Sequence, residues 1–138
     1  MGYLIKAIPT EIVTAKVTLT SANLLTPGYI FTIPEYPAID RAFWNVIYMN
    51  GEIVNGSTPY VGTSSIHIQT ANVTGVQLRF QNTYMQSPVG TWIAAIGTGT
   101  GSNTNFATNQ PLEIHNPGTL TLGDNDLNIY IGATLIQY

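Results

Sequence analysis

The sequence predicts an all-β fold, an antiparallel sandwich of about eight strands in one domain. Three observations carry this expectation. The stretch DLNIYIGATLIQY, Asp126–Tyr138, places Leu127, Ile129, Ile131, Ala133 and Leu135 at every second position, the longest regular alternation in the chain. Turn signals rich in Gly, Pro, Asn and Asp recur at fairly even spacing along the rest. No segment carries a convincing helical period.

Asp126–Tyr138 is read as a half-buried strand because successive side chains of a strand face opposite sides. Anything so apolar at this point in the chain needs partners on both sides, which places it inside a sheet. Residues 1–10 are expected to form an N-terminal arm or edge strand, with residues 11–138 as the sandwich domain. Gly2 to Ile8 is apolar and Pro9 ends it. Two fates are open: an arm laid on a neighbouring subunit, or an ordinary first strand.

Glu11–Thr20 alternates Val13, Ala15, Val17 and Leu19 with Thr14, Lys16, Thr18 and Thr20, good strand composition. Ser21-Ala22-Asn23 opens a short Leu24-Leu25 segment closed by Pro27-Gly28. Tyr29–Ile33 is a strand, and Pro34 and Pro37 bracket an extended loop to Asp40 because proline removes ladder donors. Arg41–Asn50, RAFWNVIYMN, is apolar on both faces, as expected of a central strand covered twice or one bordering another subunit. Asn50-Gly51 reads as a tight turn, and Glu52–Ser64 as loop.

Ser65–Thr70 is expected to turn Ile66 and Ile68 inward, His67 and Gln69 outward. Val76–Tyr84 places Val76, Leu78 and Phe80 inside, and Gln77, Arg79 and Gln81 outside. Met85–Ile96 fits either a strand or a single helical turn. The run from Gly97 to Gln110, biased to Gly, Thr and Asn, reads as a mobile loop. Pro111–His115 places Leu112 and Ile114 inside, then Asn116-Pro117-Gly118 turns into Thr119–Leu122. Eight strands in two facing sheets suggest a jelly-roll-like sandwich. The alternative is an immunoglobulin-like sandwich without the Cys…Trp…Cys pattern.

Composition narrows the function classes. The 138 residues fit one domain, which buries roughly two-thirds of its unfolded surface. There are no cysteines, so neither a disulfide nor a thiolate metal site is possible. Charged residues make up 8%, against about 25% in an average soluble domain. A surface covered instead by Thr, Asn, Ser, Gln, Gly and Tyr suits a protein packed against copies of itself or a larger shell, the alternative being a secreted or extracellular β domain with a Thr/Asn-rich surface. Lys6, Lys16, Arg41 and Arg79 are scattered in a chain of net charge −3, which argues against nucleic-acid binding. The N-terminus lacks the pattern of a signal peptide, and no apolar run is long enough for a membrane helix.

The candidate sites are few. Gly123-Asp124-Asn125-Asp126 groups oxygen donors of the kind calcium takes, yet Asp and Asn are also favoured turn residues, so no metal is assigned. His67 and His115 are two histidines able to meet on adjacent strands, too few for a metal site on their own. No G-x-S-x-G elbow exists, and the seven acids point to no paired-carboxylate site, so neither enzymatic activity nor a cofactor is expected. Eight tyrosines and two tryptophans, with Tyr36, Tyr48, Tyr60 and Tyr84 in or beside loops or strand ends, are materials for stacking on sugars or filling subunit interfaces.

Three segments carry a resemblance: VTLTSANLL at Val17–Leu25, STPYVGTSSIHIQ at Ser57–Gln69, and NQPLEIHNPGTLTLGDNDLNIYIGATLIQY from Asn109. Together they resemble small jelly-roll structural proteins of tailed bacteriophages, of the capsid decoration and head-fibre type. The double-sided strand around Trp44 and the Gly/Thr loop from Gly97 depart from that pattern. The resemblance implies a virion component assembled in the host cytoplasm, a homotrimer whose partners are the major capsid protein or another virion protein. The alternative is a tail-associated module binding a receptor or a host-surface glycan. Self-contact is expected at Phe43, Trp44, Ile47, Tyr130 and Ile136, and ligand or receptor contact at Tyr60, Trp92 and Phe106.

Overall fold

The computed structural model describes residues 11–71, 76–97 and 108–137. The strands are β1 (Val13–Leu19), β2 (Tyr29–Thr32), β3 (Ala42–Val54), β4 (Val61–Thr63), β5 (His67–Thr70), β6 (Val76–Arg79), β7 (Trp92–Ala94), β8 (Leu112–Asn116), β9 (Thr119–Thr121) and β10 (Asp126–Gln137). A four-residue helix, α1 (Ser21–Leu24), and a 3-10 turn, Tyr84–Gln86, complete the described elements. Thr20 caps α1, its hydroxyl accepting the Asn23 N–H while the Asn23 side chain returns to the Thr20 backbone. Residues 1–10, the expected arm or edge strand, lie outside the described residues.

One sheet has the order β1-β10-β3-β7 and the other β2-β8-β5-β6, with β4 and β9 paired beside them, all antiparallel. The chain crosses between the two large sheets at most connections, and the first and last strands lie side by side. That is the antiparallel all-β sandwich the sequence predicts. β10 lies between β1 and β3, with Val17 opposite Ile129 and Ile129 opposite Gly51. Leu127, Ile129 and Ile131 are fully buried. Each such side chain contributes about 1.5–3 kcal/mol relative to exposure, so a one-residue slip would forfeit the row, and the register is pinned.

The two sheets close over one core. Leu19, Ile53, Leu127 and Ile129 from the first sheet meet Ile68, Leu112 and Ile114 from the second, with Leu24, Ile33, Tyr36, Phe80 and Met85 filling the ends. Tyr36, expected in a loop, is fully buried there. Its hydroxyl donates to the carbonyls of Val13 (2.7 Å) and Ile131 (3.1 Å).

Three expectations are corrected, the first being Glu52–Ser64, read as loop, which carries the end of β3 and the short strand β4. Asn50-Gly51 is no turn: β3 runs straight through it to Val54. Asn50 pairs with Tyr130 on one side and Ala94 on the other, and this ladder outweighs the local turn preference. Gly51 is needed for closeness instead, since a β-carbon there would come within 2.9 Å of Phe80 Cζ and 3.0 Å of the Tyr84 ring. Gln77 was expected outside and is 5% exposed. Its Oε1 accepts the Val46 N–H (2.9 Å) and its Nε2 donates to Trp44 O (3.1 Å). β7 pairs β3 only over Asn50–Glu52, so the amide completes the ladder where β7 has ended.

Candidate functional site

The outer face of the β1-β10-β3-β7 sheet brings together Phe43, Ile47, Tyr48, Trp92, Tyr130 and Ile136, aromatic and apolar side chains left out of the core. Alternation places them there. β10 turns Leu127, Ile129 and Ile131 inward, so Asn128 and Tyr130 face out, and β3 likewise turns Asn50 and Glu52 out between the buried Met49, Gly51 and Ile53. Across the strands, Lys16 stands opposite Tyr130, Tyr130 opposite Asn50, and Asn50 opposite Ala94. One rung along, the order is Thr18, Asn128, Glu52, Trp92.

Side chains bridge those rungs. The Trp92 indole and the Tyr130 ring stack over the intervening β3, centroids 5.7 Å apart and planes 20° apart. Lys16 Nζ lies 5.7 Å from the Tyr130 centroid, within cation–π range, and the Tyr130 hydroxyl donates to Glu52 Oε1 at 3.2 Å. Local desolvation, and then the Glu52 carboxylate, raise the Tyr130 hydroxyl pKa. Thr18 Oγ1 donates to Asn128 Oδ1 at 2.7 Å. A shallow open depression of about 220 Å³ is lined by Asn50, Trp92, Ile93 and Ala94.

Towards the other end of this face, Tyr48 lies over Gly132, where a β-carbon would run into its ring. The ladder shifts here: Tyr48 pairs Gly132, Val46 pairs Ala133, and Ile47 is the extra residue, 48% exposed. Beyond the bulge Phe43 pairs Ile136, both partly exposed and alternating with the inward Trp44 and Leu135.

The residues singled out from sequence therefore divide. Phe43, Tyr130, Ile136 and Trp92 share the outer face, with Ile47 at its bulge. Trp44 was expected in self-contact, but it is 5% exposed, packs 5.0 Å from the Tyr36 ring, and donates its indole N–H to Pro37 O. Tyr60 was expected to touch a ligand and is instead core, 2% exposed, its hydroxyl donating to Asn125 O. Burial, with Asp126 and Asp124 nearby, pushes its hydroxyl pKa up to about 12. Tyr84 is core as well, its hydroxyl bound to Thr91 O. Phe106 and the 98–107 part of the expected mobile loop lie outside the described residues. What sequence reasoning missed was Lys16, Asn50 and Glu52: each reads locally as an ordinary polar position, and only the strand order brings them to the aromatics.

Two further clusters have structural duties. Asp124 Oδ1 accepts the N–H groups of Ser57 (2.9 Å) and Thr58 (2.7 Å), which holds its pKa below the usual carboxylate range. Asp126 accepts from the Ser21 N–H and from Asn55 Nδ2, both at 2.9 Å. The acids of this turn thus tie down two loops. On the outer face of the second sheet, His67 and His115 are register partners, rings stacked at 5.1 Å. His67 Nε2 meets Gln69 Oε1 (3.0 Å) and His115 Nε2 meets Glu113 Oε1 (2.9 Å). Burial lowers the His67 pKa, partly offset by its hydrogen bonds to Ser65 O and Gln69. Among the described residues no group of three or more His, Asp or Glu is placed to hold a metal ion.

No family model and no curated protein matches the sequence. A solved structure does. The chain is similar in fold to the capsid of Ralstonia phage GP4, with a TM-score of 0.58 over 100% of this chain and 91% of that one. Identity is 12%, so the likeness is one of fold. The outer-face chemistry belongs to this chain's own residues.

Proposed function

We propose that the chain is a structural protein of a bacteriophage virion, working by binding without turnover. Within that reading it is a capsid-surface decoration or head-fibre protein, a homotrimer whose other partner is the major capsid protein. The observation that carries the proposal is the likeness in fold to a phage capsid chain over 100% of this chain and 91% of that one. The 8% charge content fits a surface that spends its life against other protein. Phe43, Ile47 and Ile136 supply the apolar patch for self-contact, and repeated copies multiply modest contacts into firm attachment.

A tail-associated receptor- or carbohydrate-binding module is the second reading, favoured by the exposed Trp92 stacked on Tyr130. The first reading is tested by mixing purified chain with capsids stripped of their accessory proteins and sedimenting them. Saturable co-sedimentation at a fixed number of trimers per shell is expected. Chain left wholly in the supernatant overturns the capsid role.

A further inference from the structure

The Trp92 end of the outer face has a chemistry of its own. The indole is 58% exposed, and Asn50, Ile93 and Ala94 line the depression beside it. Tyr130 backs it in a near-parallel stack, and β3 places Asn50 and Glu52 between the two strands that carry the rings. The depression beside the indole, about 220 Å³ and open to solvent, is smaller than the pockets of about 300–1,000 Å³ that hold drug-sized ligands. It suits one small ring resting on a surface.

We propose that this patch is a carbohydrate site: a neutral pyranose unit of a glycan stacks its C–H face on the Trp92 indole and sets its hydroxyls against Asn50 and Glu52. The inference rests on the second reading above for the nature of the face, and it adds the residues and the ligand class. A pyranose has one apolar face of C–H groups and a rim of hydroxyls. The indole supplies the matching apolar plane. The Asn50 amide both donates and accepts, and the Glu52 carboxylate accepts from hydroxyls. The Tyr130 hydroxyl bond to Glu52 holds that carboxylate in place before any ligand arrives.

Charge selects among occupants. Glu52 faces Trp92 across the ladder, which disfavours sialic acids, uronates and phosphates. A nucleic-acid strand stacking here would need a basic groove, and Lys16 is the one cation placed at this patch among the described residues. A second copy of the chain would have to desolvate Glu52 and Lys16 to cover the indole. A polyol brings its own donors and leaves both groups in contact with water.

The experiment titrates the full chain with lactose, cellobiose, maltose and sialyllactose, read by tryptophan emission and saturation-transfer NMR. Trp44 is buried and Trp92 exposed, so the solvent-sensitive emission reports the site. At least one neutral disaccharide is expected to give a saturable change, with ring C–H protons nearest the protein, and sialyllactose none. Trp92→Ala, which removes the emission reporter itself, is expected to abolish the saturation-transfer signal with the melting temperature unchanged, and Glu52→Gln to weaken binding by about tenfold. The proposal is overturned by a flat response to all three neutral sugars, by a response that survives Trp92→Ala, or by Trp92→Ala lowering the oligomer mass. A chain that sediments with capsids yet binds no sugar loses this site and keeps the virion role. One that binds sugar but not capsids keeps this site and loses the capsid role, leaving the tail-associated reading.

Discussion

Gln77 stands in for a stretch of strand. Its amide offers one acceptor and one donor to β3 at Val46 and Trp44. Replacing it by leucine leaves the buried Trp44 carbonyl and the partly buried Val46 N–H unpaired, at about 1–3 kcal/mol for each group fully cut off from water. Urea denaturation of Gln77→Leu should show a loss of at least about 2 kcal/mol on that scale, and Gln77→Glu, which buries a carboxylate and sets an oxygen against the Trp44 carbonyl, one at least as large at neutral pH. Equal stability of Gln77→Leu and the parent chain would mean the amide adds nothing. Gly132 is a second such position, since Tyr48 occupies the space a side chain would need. Gly132→Val should displace that ring and cost about 1–3 kcal/mol, as overpacking does. Tyrosine fluorescence and the denaturation midpoint would both register it.

These residues mark how far the sequence could be read. The inward rows of β1, β8 and β10 were visible because burial on a single face leaves a period of two in the sequence. Gln77, Gly51 and Tyr60 were misplaced for a shared reason. Their surroundings come from strands distant in the chain, and a polar amide, an Asn-Gly pair or a loop tyrosine carries no local sign of that. Trp92 and Tyr130 were both picked out, but for different roles. Their stacking depends on β7 and β10 flanking β3, a matter of topology that periodicity does not encode.

At the scale of elements, the β5–β8 pairing sets two imidazoles side by side with Glu113 and Gln69, and Arg79 is the register partner of His67 on β6. Burial favours the neutral form of His67 in the fold. The unfolded chain therefore takes up its proton first as pH falls. Stability from this group is fully present above the unfolded value of 6.5 and drains away as pH drops below it towards the lower folded pKa. The denaturation midpoint should fall between pH 7.5 and pH 5 (values chosen around the roughly 6.5 imidazole pKa), and His67→Gln should flatten that slope. A slope unchanged in His67→Gln would assign the pH effect to other groups.

For the whole molecule, the scarcity of charge and the apolar outer face predict self-association. Light scattering at micromolar protein should return the mass of a trimer, and Ile47→Lys with Ile136→Lys should return a monomer with the fold retained by circular dichroism. A monomeric parent chain at that concentration removes the trimer. Trp92 and the Ile47–Ile136 pair lie towards opposite ends of one face, so the two lysine substitutions should leave Trp92 emission unaltered.

The position of β10 between β1 and β3 also has a consequence in time. A ribosome makes β1 and β3 long before Asp126 appears, and neither can pair with the other across a gap one strand wide. Through most of synthesis two apolar ribbons with open edges wait for their spacer. The interval before residue 137 emerges is when this protein is most exposed to clumping, so slow translation or a crowded host should harm its yield more than mild heat harms the finished product.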